Sequence, residues 1–267
     1  MAVAVSPRKR EKAIRYSFFI RSEKMFMAPR DVLEREFFTR IPKARKINPV
    51  FRAFFDFMYA AHIAARPGTR LLNIYASWDF SRDREELYRE KFFNACDYDA
   101  VDFREDRFID EKNPDKDRHE IPFPSARFDI VVTTKYIMEH ISEPQKVVDE
   151  FSRVLKPGGE AFIVAPHIRR QHQKPWDFYR YTEFALEHLF KKAGFREITI
   201  TPTNGFMATA AYYAYFFERG LGLPKWIERM FDAAHAWIIE PVCYALDRLD
   251  NGYGRDMTLY FLVRAKK

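Results

Sequence analysis

At 267 residues, 47% of them hydrophobic, the chain has room for one large α/β domain or two small ones and enough apolar surface for a real core, which excludes a disordered polypeptide. Its two cysteines, Cys96 and Cys243, stand far apart in no metal-ligand spacing, which excludes a disulfide framework and a cysteine-built zinc site and fits a reducing cytoplasm. The net charge of +7 is uneven: the first 70 residues carry sixteen Lys and Arg against six Asp and Glu, a net +10, and the remainder carries −3.

Residues 1–66 read as a basic, mostly helical N-terminal extension. Val50, Phe54, Phe57, Met58 and Ala61 recur near helical spacing, and Pro42 and Pro49 break the pattern. Such a segment attracts phosphate-rich partners, nucleic acid or an anionic membrane surface, or serves as a solvated tail. Arg8, Lys9, Arg10 and Lys12 are followed by no apolar run of the secretory kind, and no window reaches the roughly 18 apolar residues of a spanning helix. The expected state is cytoplasmic and soluble, or peripheral to a membrane.

Pro67-Gly68 turns the chain into Arg70–Ala76, apolar on both faces as in a parallel sheet. Ser81 to Phe93 is an amphipathic helix with Ser81 as its N-cap. Tyr98 to Phe103 is the second strand, and a polar loop runs from it to His119. Phe128 to Thr134 is a strong strand, Glu143 to Leu155 a helix, and Pro157-Gly158-Gly159 its terminator through glycine at positive φ. Glu160 to Pro166, a helix over Thr182 to Ala193, and Phe195 to Thr201 continue the alternation. Two apolar helical stretches, Phe206 to Arg219 and Pro224 to Leu249, then precede a closing strand over Met257 to Ala265. Strands alternating with helices predict a parallel sheet covered on both faces, with ligands at the carboxyl ends of the strands.

Asp117-x-His119-x-Ile-Pro-Phe123, Phe128-Asp-Ile-Val-Val, Glu139-His140, Arg153-Val-Leu-Lys-Pro-Gly-Gly159 and Gly194-Phe195 stand in the order and spacing of a type 11 methyltransferase. From Arg70 to Thr201 and again in the last strand the chain resembles class I S-adenosylmethionine-dependent methyltransferases. The resemblance implies a Rossmann-like, mostly parallel seven-stranded sheet with helices on both faces over residues 67–267. A helical insertion or lid spans 206–250. His172-x-x-Pro175-x-Asp177-Phe-Tyr-Arg-Tyr-Thr182 is similar to a segment of family members associated with glycan or cell-surface biosynthesis.

The chain departs from the family where its glycine-rich turn should hold the cofactor's methionine moiety. Asn73 stands for the acid, and Tyr75, Ser77 and Asp79 stand for the three glycines. Two readings follow: an active methyltransferase with a remodelled pocket, or a non-catalytic binding or scaffold protein that keeps the fold. On the first, S-adenosylmethionine contacts Asn73, Tyr75, Ser77, Asp102, Asp117, His119 and Thr134, with Asp102 on the ribose hydroxyls and Asp117 and His119 near the adenine. Asp102 reads equally as one of several solvated acids beside Glu105 and Asp106.

Methyl transfer to a hydroxyl needs an aligned nucleophile and a base. His167, His172 and Asp177 are the candidates, an imidazole near its ordinary pKa being able to take a hydroxyl proton with a carboxylate to orient it. Each histidine reads also as a plain turn residue, and the three match no metal-ligand spacing. Tyr179 and Arg180 are candidates for holding a sugar or phosphate by stacking and bidentate hydrogen bonding, or for packing before the next helix. The expected acceptor is a hydroxyl on a glycan-like or small molecule. The aromatic helices of 206–250 are a lid, a homodimer surface or an interfacial face. Nucleic acid is the weaker partner, since no recognition motif accompanies the basic charge.

Overall fold

The structure, a computed structural model, describes residues 28–39, 48–75, 82–102, 119–134, 136–252 and 254–267. Ser77, Asp79, Ser81 and Asp117, and the basic stretch from Arg8 to Lys12, lie outside these residues.

Two-sided apolar strands build a six-stranded sheet in the order β2-β1-β3-β4-β6-β5. β1 (Arg70–Tyr75) runs parallel to β2 (Asp97–Asp102) on one side and to β3 (Phe128–Thr133) on the other. β4 (Leu155–Pro166) extends β3 in parallel, and β6 (Tyr260–Lys266) is inserted antiparallel between β4 and β5 (Glu197–Pro202). Side chains one residue apart point to opposite faces, so Val131 and Val132 of β3 enter different cores.

On one face α4 (Pro144–Val154) and α5 (Glu183–Lys192) cover Leu72, Ile74, Val101, Val131 and Ile163. On the other, α1 (Arg30–Thr39), α2 (Pro49–Ala64) and the end of α3 (Arg82–Leu87, continued by a wider turn over Tyr88–Phe92) cover Leu71, Val132, Phe162 and Val164. α2 starts where the Asn48 side chain accepts from the Val50 N–H at 2.9 Å and Pro49 has no N–H to satisfy. Its Phe54 and Phe57 pack on Tyr260 and Phe162 with ring centroids 5.8 and 5.4 Å apart. The end of the N-terminal segment therefore belongs to the sheet's own core.

The expected seven-stranded sheet is corrected to six strands among the described residues. The backbone at Ile121–Phe123, ahead of β3, spends its hydrogen bonds on α4. The Ile121 N–H donates to Glu150 Oε2 at 2.7 Å, and Arg153 donates to the carbonyls of Ile121 and Phe123, each at 2.8 Å. A segment pinned in this way adds no strand to a sheet edge. A second difference lies at the end of α4. The helix stops at Val154, and Leu155 is already extended. Gly158, at φ +79°, turns the chain within the first residues of β4 instead of ending the helix. At Gly159 a Cβ would come within 3.0 Å of the Asp129 and Lys156 carbonyl oxygens, which is why that position carries no side chain.

The insertion before β6 consists of α6 (Phe206–Gly220), α7 (Lys225–Ala234) and α8 (Glu240–Asp247), with a wider turn over His235–Ile239 joining the last two. Asp247 at the end of α8 caps α6. Its carboxylate accepts from the Gly205 N–H at 2.8 Å and the Ala208 N–H at 3.2 Å.

Candidate active site

The carboxyl ends of β1, β2, β3 and β4 meet along one edge of the sheet, and two short connections bring polar groups there. The first is a single helical turn, Met138–His140, after β3. Ile137, Met138 and Ile141 are buried and anchor the turn in the core, so Glu139 and His140 are carried inward with them. The second is the loop after β4, in which Gln173 adopts a left-handed φ of 50°. The two are stitched together: the Phe178 N–H donates to the Glu139 carbonyl at 2.8 Å, and the Tyr181 hydroxyl to the Met138 carbonyl at 2.8 Å.

At this junction His172 stands between two carboxylates. Its Nε2 is 3.5 Å from Glu139 Oε1 and its Nδ1 3.4 Å from Asp177 Oδ2. Asp177 also accepts from the His172 backbone N–H at 2.7 Å and takes both arms of the Arg180 guanidinium at 2.5 and 2.8 Å. His140 Nε2 faces Glu139 Oε1 at 3.9 Å, while its Nδ1–H donates to the Trp176 carbonyl. A carbonyl only accepts, so the proton sits on Nδ1 and the lone pair on Nε2.

Burial sets the charges. It raises Glu139 to about 7, lowers His140 to about 4 and lowers His172. Burial pushes Asp177 up as well, but the Arg180 hydrogen bonds and the His172 N–H outweigh it and hold the carboxyl below the usual range. Near neutral pH both imidazoles are uncharged bases and Asp177 is an anion.

Of the residues expected at the chemistry, His172 and Asp177 meet here. His167 stands apart, with Nε2 2.8 Å from the Asp256 carbonyl and its ring beside Phe261. Arg180 spends its donors on the loop itself, on Asp177 and on the carbonyls of Arg169, Arg170 and Tyr179, and the Tyr179 hydroxyl donates to the Ser142 carbonyl at 3.1 Å. Glu139 and His140 were not among the expected catalytic residues. Their signal in the sequence is an acid-imidazole pair set between the buried anchors Met138 and Ile141. Arg169 is a further one, its guanidinium 4.8 and 5.0 Å from the ring centroids of Tyr212 and Tyr260.

On the cofactor side Asn73 is fully buried and bonded within the fold. Its amide donates to the Tyr98 hydroxyl at 2.8 Å, and its oxygen accepts from the Thr134 N–H at 3.3 Å and the Thr134 hydroxyl at 3.0 Å. Tyr75 and Asp102 are register partners at the ends of β1 and β2. His119 lies farther along, with Nε2 3.8 Å from Glu143 Oε1.

Residues 86–163 match the family model of the type 11 methyltransferases, described as a methyltransferase domain. No curated protein sequence matches the chain. Among solved structures it is similar to the [4+2]-cyclase SpnF, at 19% identity over 80% of each chain with a TM-score of 0.43. It is also similar to phosphoethanolamine N-methyltransferase 2 of Haemonchus contortus in complex with S-adenosyl-L-methionine, at 17% identity over 88% of this chain and 60% of that one, TM-score 0.43. A third is an S-adenosylmethionine-dependent methyltransferase of Archaeoglobus fulgidus, at 14% identity over 79% of this chain and 94% of that one, TM-score 0.44. At these identities and scores the likenesses carry no argument about chemistry.

Sheet and family match define a class I methyltransferase domain. Within it residues 86–163 match the type 11 methyltransferase model, and that match supports S-adenosylmethionine as cofactor and methyl transfer as reaction class. Asp102 closes β2 at the carboxyl end of the sheet and is buried there.

Proposed function

We propose that the protein methylates a hydroxyl on a glycan-like or small-molecule acceptor, using S-adenosylmethionine. The observation that carries the reading is His172, a neutral imidazole at the carboxyl end of the sheet beside a buried carboxylate and an oriented one. Transfer from a sulfonium needs in-line placement and loss of the hydroxyl's proton. The Glu139–His172 junction supplies the place for that loss. Asp177, locked by Arg180, holds the His172 backbone N–H and faces the ring's Nδ1 at 3.4 Å.

A radiolabelled methyl-transfer assay over free and lipid-linked sugars tests the acceptor. His172→Ala is expected to lower kcat at least ~100-fold while leaving cofactor affinity unchanged. Full activity in that variant would reject the assignment. Cofactor binding is read separately by thermal shift, since a ligand that binds only the folded state raises its stability. Asp102→Ala should weaken the S-adenosylhomocysteine response about tenfold, the cost of a lost charged hydrogen bond. An undiminished response would remove the ribose role.

An anionic bilayer surface is the partner supported by the helical insertion. Trp226, Met230, Trp237, Ile238 and Leu249 are all exposed on or just after α7 and α8, and the chain's excess positive charge lies in its first 70 residues. No helix among the described residues is long and apolar enough to cross a membrane. The full chain should float with phosphatidylglycerol vesicles, and a Trp226→Ser/Trp237→Ser variant should not. Equal flotation of the two, or a homodimer by sedimentation that covers these residues, would overturn the docking.

A further inference from the structure

Glu139 is fully buried, and its carboxylate has no hydrogen-bond partner beyond the backbone N–H of its own residue. Burying an unpartnered carboxylate costs far more than a native fold ordinarily leaves unrepaid. Two cations lie nearby, yet neither donates to the carboxylate: Arg180 gives its hydrogen bonds to Asp177 and the loop carbonyls, and Arg169 lies over the rings of Tyr212 and Tyr260 with its Nε–H unpartnered. What faces the carboxylate instead is a pair of imidazole Nε2 atoms, from His140 and His172.

The geometry points to a binding site for one divalent transition-metal ion, with Glu139 Oε1 and the Nε2 atoms of His140 and His172 as its protein ligands. One ligand atom from each residue lies within 4.8 Å of the other two, at 3.5 and 3.9 Å along the carboxylate's contacts. An ion holding its ligands at about 2.1 Å sets neighbouring donor atoms roughly 3.0–3.5 Å apart, so the site closes by side-chain shifts of about 1 Å. The His140 imidazole is also oriented from behind, its Nδ1–H donating to the Trp176 carbonyl as ligating histidines do, and Asp177 Oδ2 stands 3.4 Å from His172 Nδ1, close enough to take the same part after a small shift. Two nitrogen donors and one carboxylate select a first-row ion such as Zn²⁺, Mn²⁺ or Fe²⁺ over Mg²⁺ or Ca²⁺, and three protein ligands leave coordination positions open.

The site stands on its own residues; its chemical use rests on the proposed transfer to a hydroxyl. An acceptor hydroxyl bound at an open position loses its proton to solvent water, because the ion stabilises the alkoxide. The oxygen lone pair then forms the new C–O bond as the sulfonium S–CH₃ bond breaks. The electron pair of that bond passes to sulfur and leaves S-adenosylhomocysteine.

The test uses the full chain, stripped with a chelator and titrated with Co²⁺ as a coloured probe and with Zn²⁺ and Mn²⁺ by thermal shift. One Co²⁺ per chain is expected, with visible absorption bands and displacement by Zn²⁺. Glu139→Gln and His172→Ala should each weaken binding at least ~100-fold, and Asp177→Asn about 10–100-fold, as loss of an orienting group does. Circular dichroism of each variant separates lost ligation from lost folding. Absence of bands and of any shift at millimolar ion in the folded wild type would overturn the site. Retained S-adenosylhomocysteine binding in that sample would confine the failure to the metal, whereas its loss would count against the methyltransferase reading. Wild-type binding that persists unchanged in both ligand variants would likewise reject these residues as the ligands.

Discussion

Tyr98 has one proton to donate and Glu85 takes it, so whatever faces the phenolic oxygen from β1 must itself be a donor. Asn73 meets that need with its amide N–H while its oxygen takes the Thr134 donors. A carboxylate at position 73, as in the family, would turn an acceptor toward an acceptor. Asn73→Asp is therefore expected to cost about 2–4 kcal/mol near pH 7, read by denaturant titration, and less toward pH 4, where a protonated Asp can donate. An equal cost at both pH values would refute the account. Glu85 itself is pushed above the usual carboxyl range, first by burial and against the pull of Arg89. A carboxyl raised by folding binds more protons in the native than in the unfolded state, so its contribution declines as pH rises from the unfolded value near 4.5 through the folded one. Glu85→Gln, which still accepts from Tyr98, should leave the melting temperature unchanged at pH 4 and raise it at pH 8. No gain at pH 8 would show that burial of the charge carries no cost. The departure at Asn73 is visible in the sequence. Its reason is not, because Tyr98 and Glu85 reach it only through the pairing of β1 with β2.

Elements were legible where one-dimensional periodicity decides them. The two-sided apolar runs of β1 and β3 and the capped start of α5 at Thr182 fall where the sequence places them. That the described residues hold six strands and not seven was not legible. Ile121–Phe123 is apolar enough for an edge, and only the Glu150 and Arg153 side chains, about thirty residues away, divert its backbone. The site divides in the same way. His172 and Asp177 sit in a recognisable motif, whereas Glu139-His140 reads as a polar turn until its flanking anchors are seen to be buried. Among the helices α6 depends most on a distant residue, since its N-terminus is capped by Asp247 from α8. Asp247→Ala should cost about 1 kcal/mol, a fall of roughly 2–4 °C in melting temperature. A fall below half a degree would show that water replaces the carboxylate without loss.

Across the whole molecule the sheet and the insertion are two layers of different character. The sheet buries nearly all its apolar side chains, while α7 buries none. The insertion leaves and rejoins the sheet at one point. Thr203 beside β5 donates its N–H to the Thr258 hydroxyl beside β6 at 3.1 Å, and a Cβ on Gly254 would come within 2.8 Å of the Phe206 nitrogen. Both ends of the excursion thus touch, and closing that gap with a short linker adds little chain entropy beyond what the native loop already loses. A variant that joins Gly205 directly to Gly254 is expected to keep its S-adenosylhomocysteine thermal shift and lose vesicle flotation. Loss of the shift would show that the sheet relies on the helices it carries. The gate at Gly205 and Gly254 makes the segment a cassette: its two ends meet beside β5 and β6, so its length can change without altering the register of any strand.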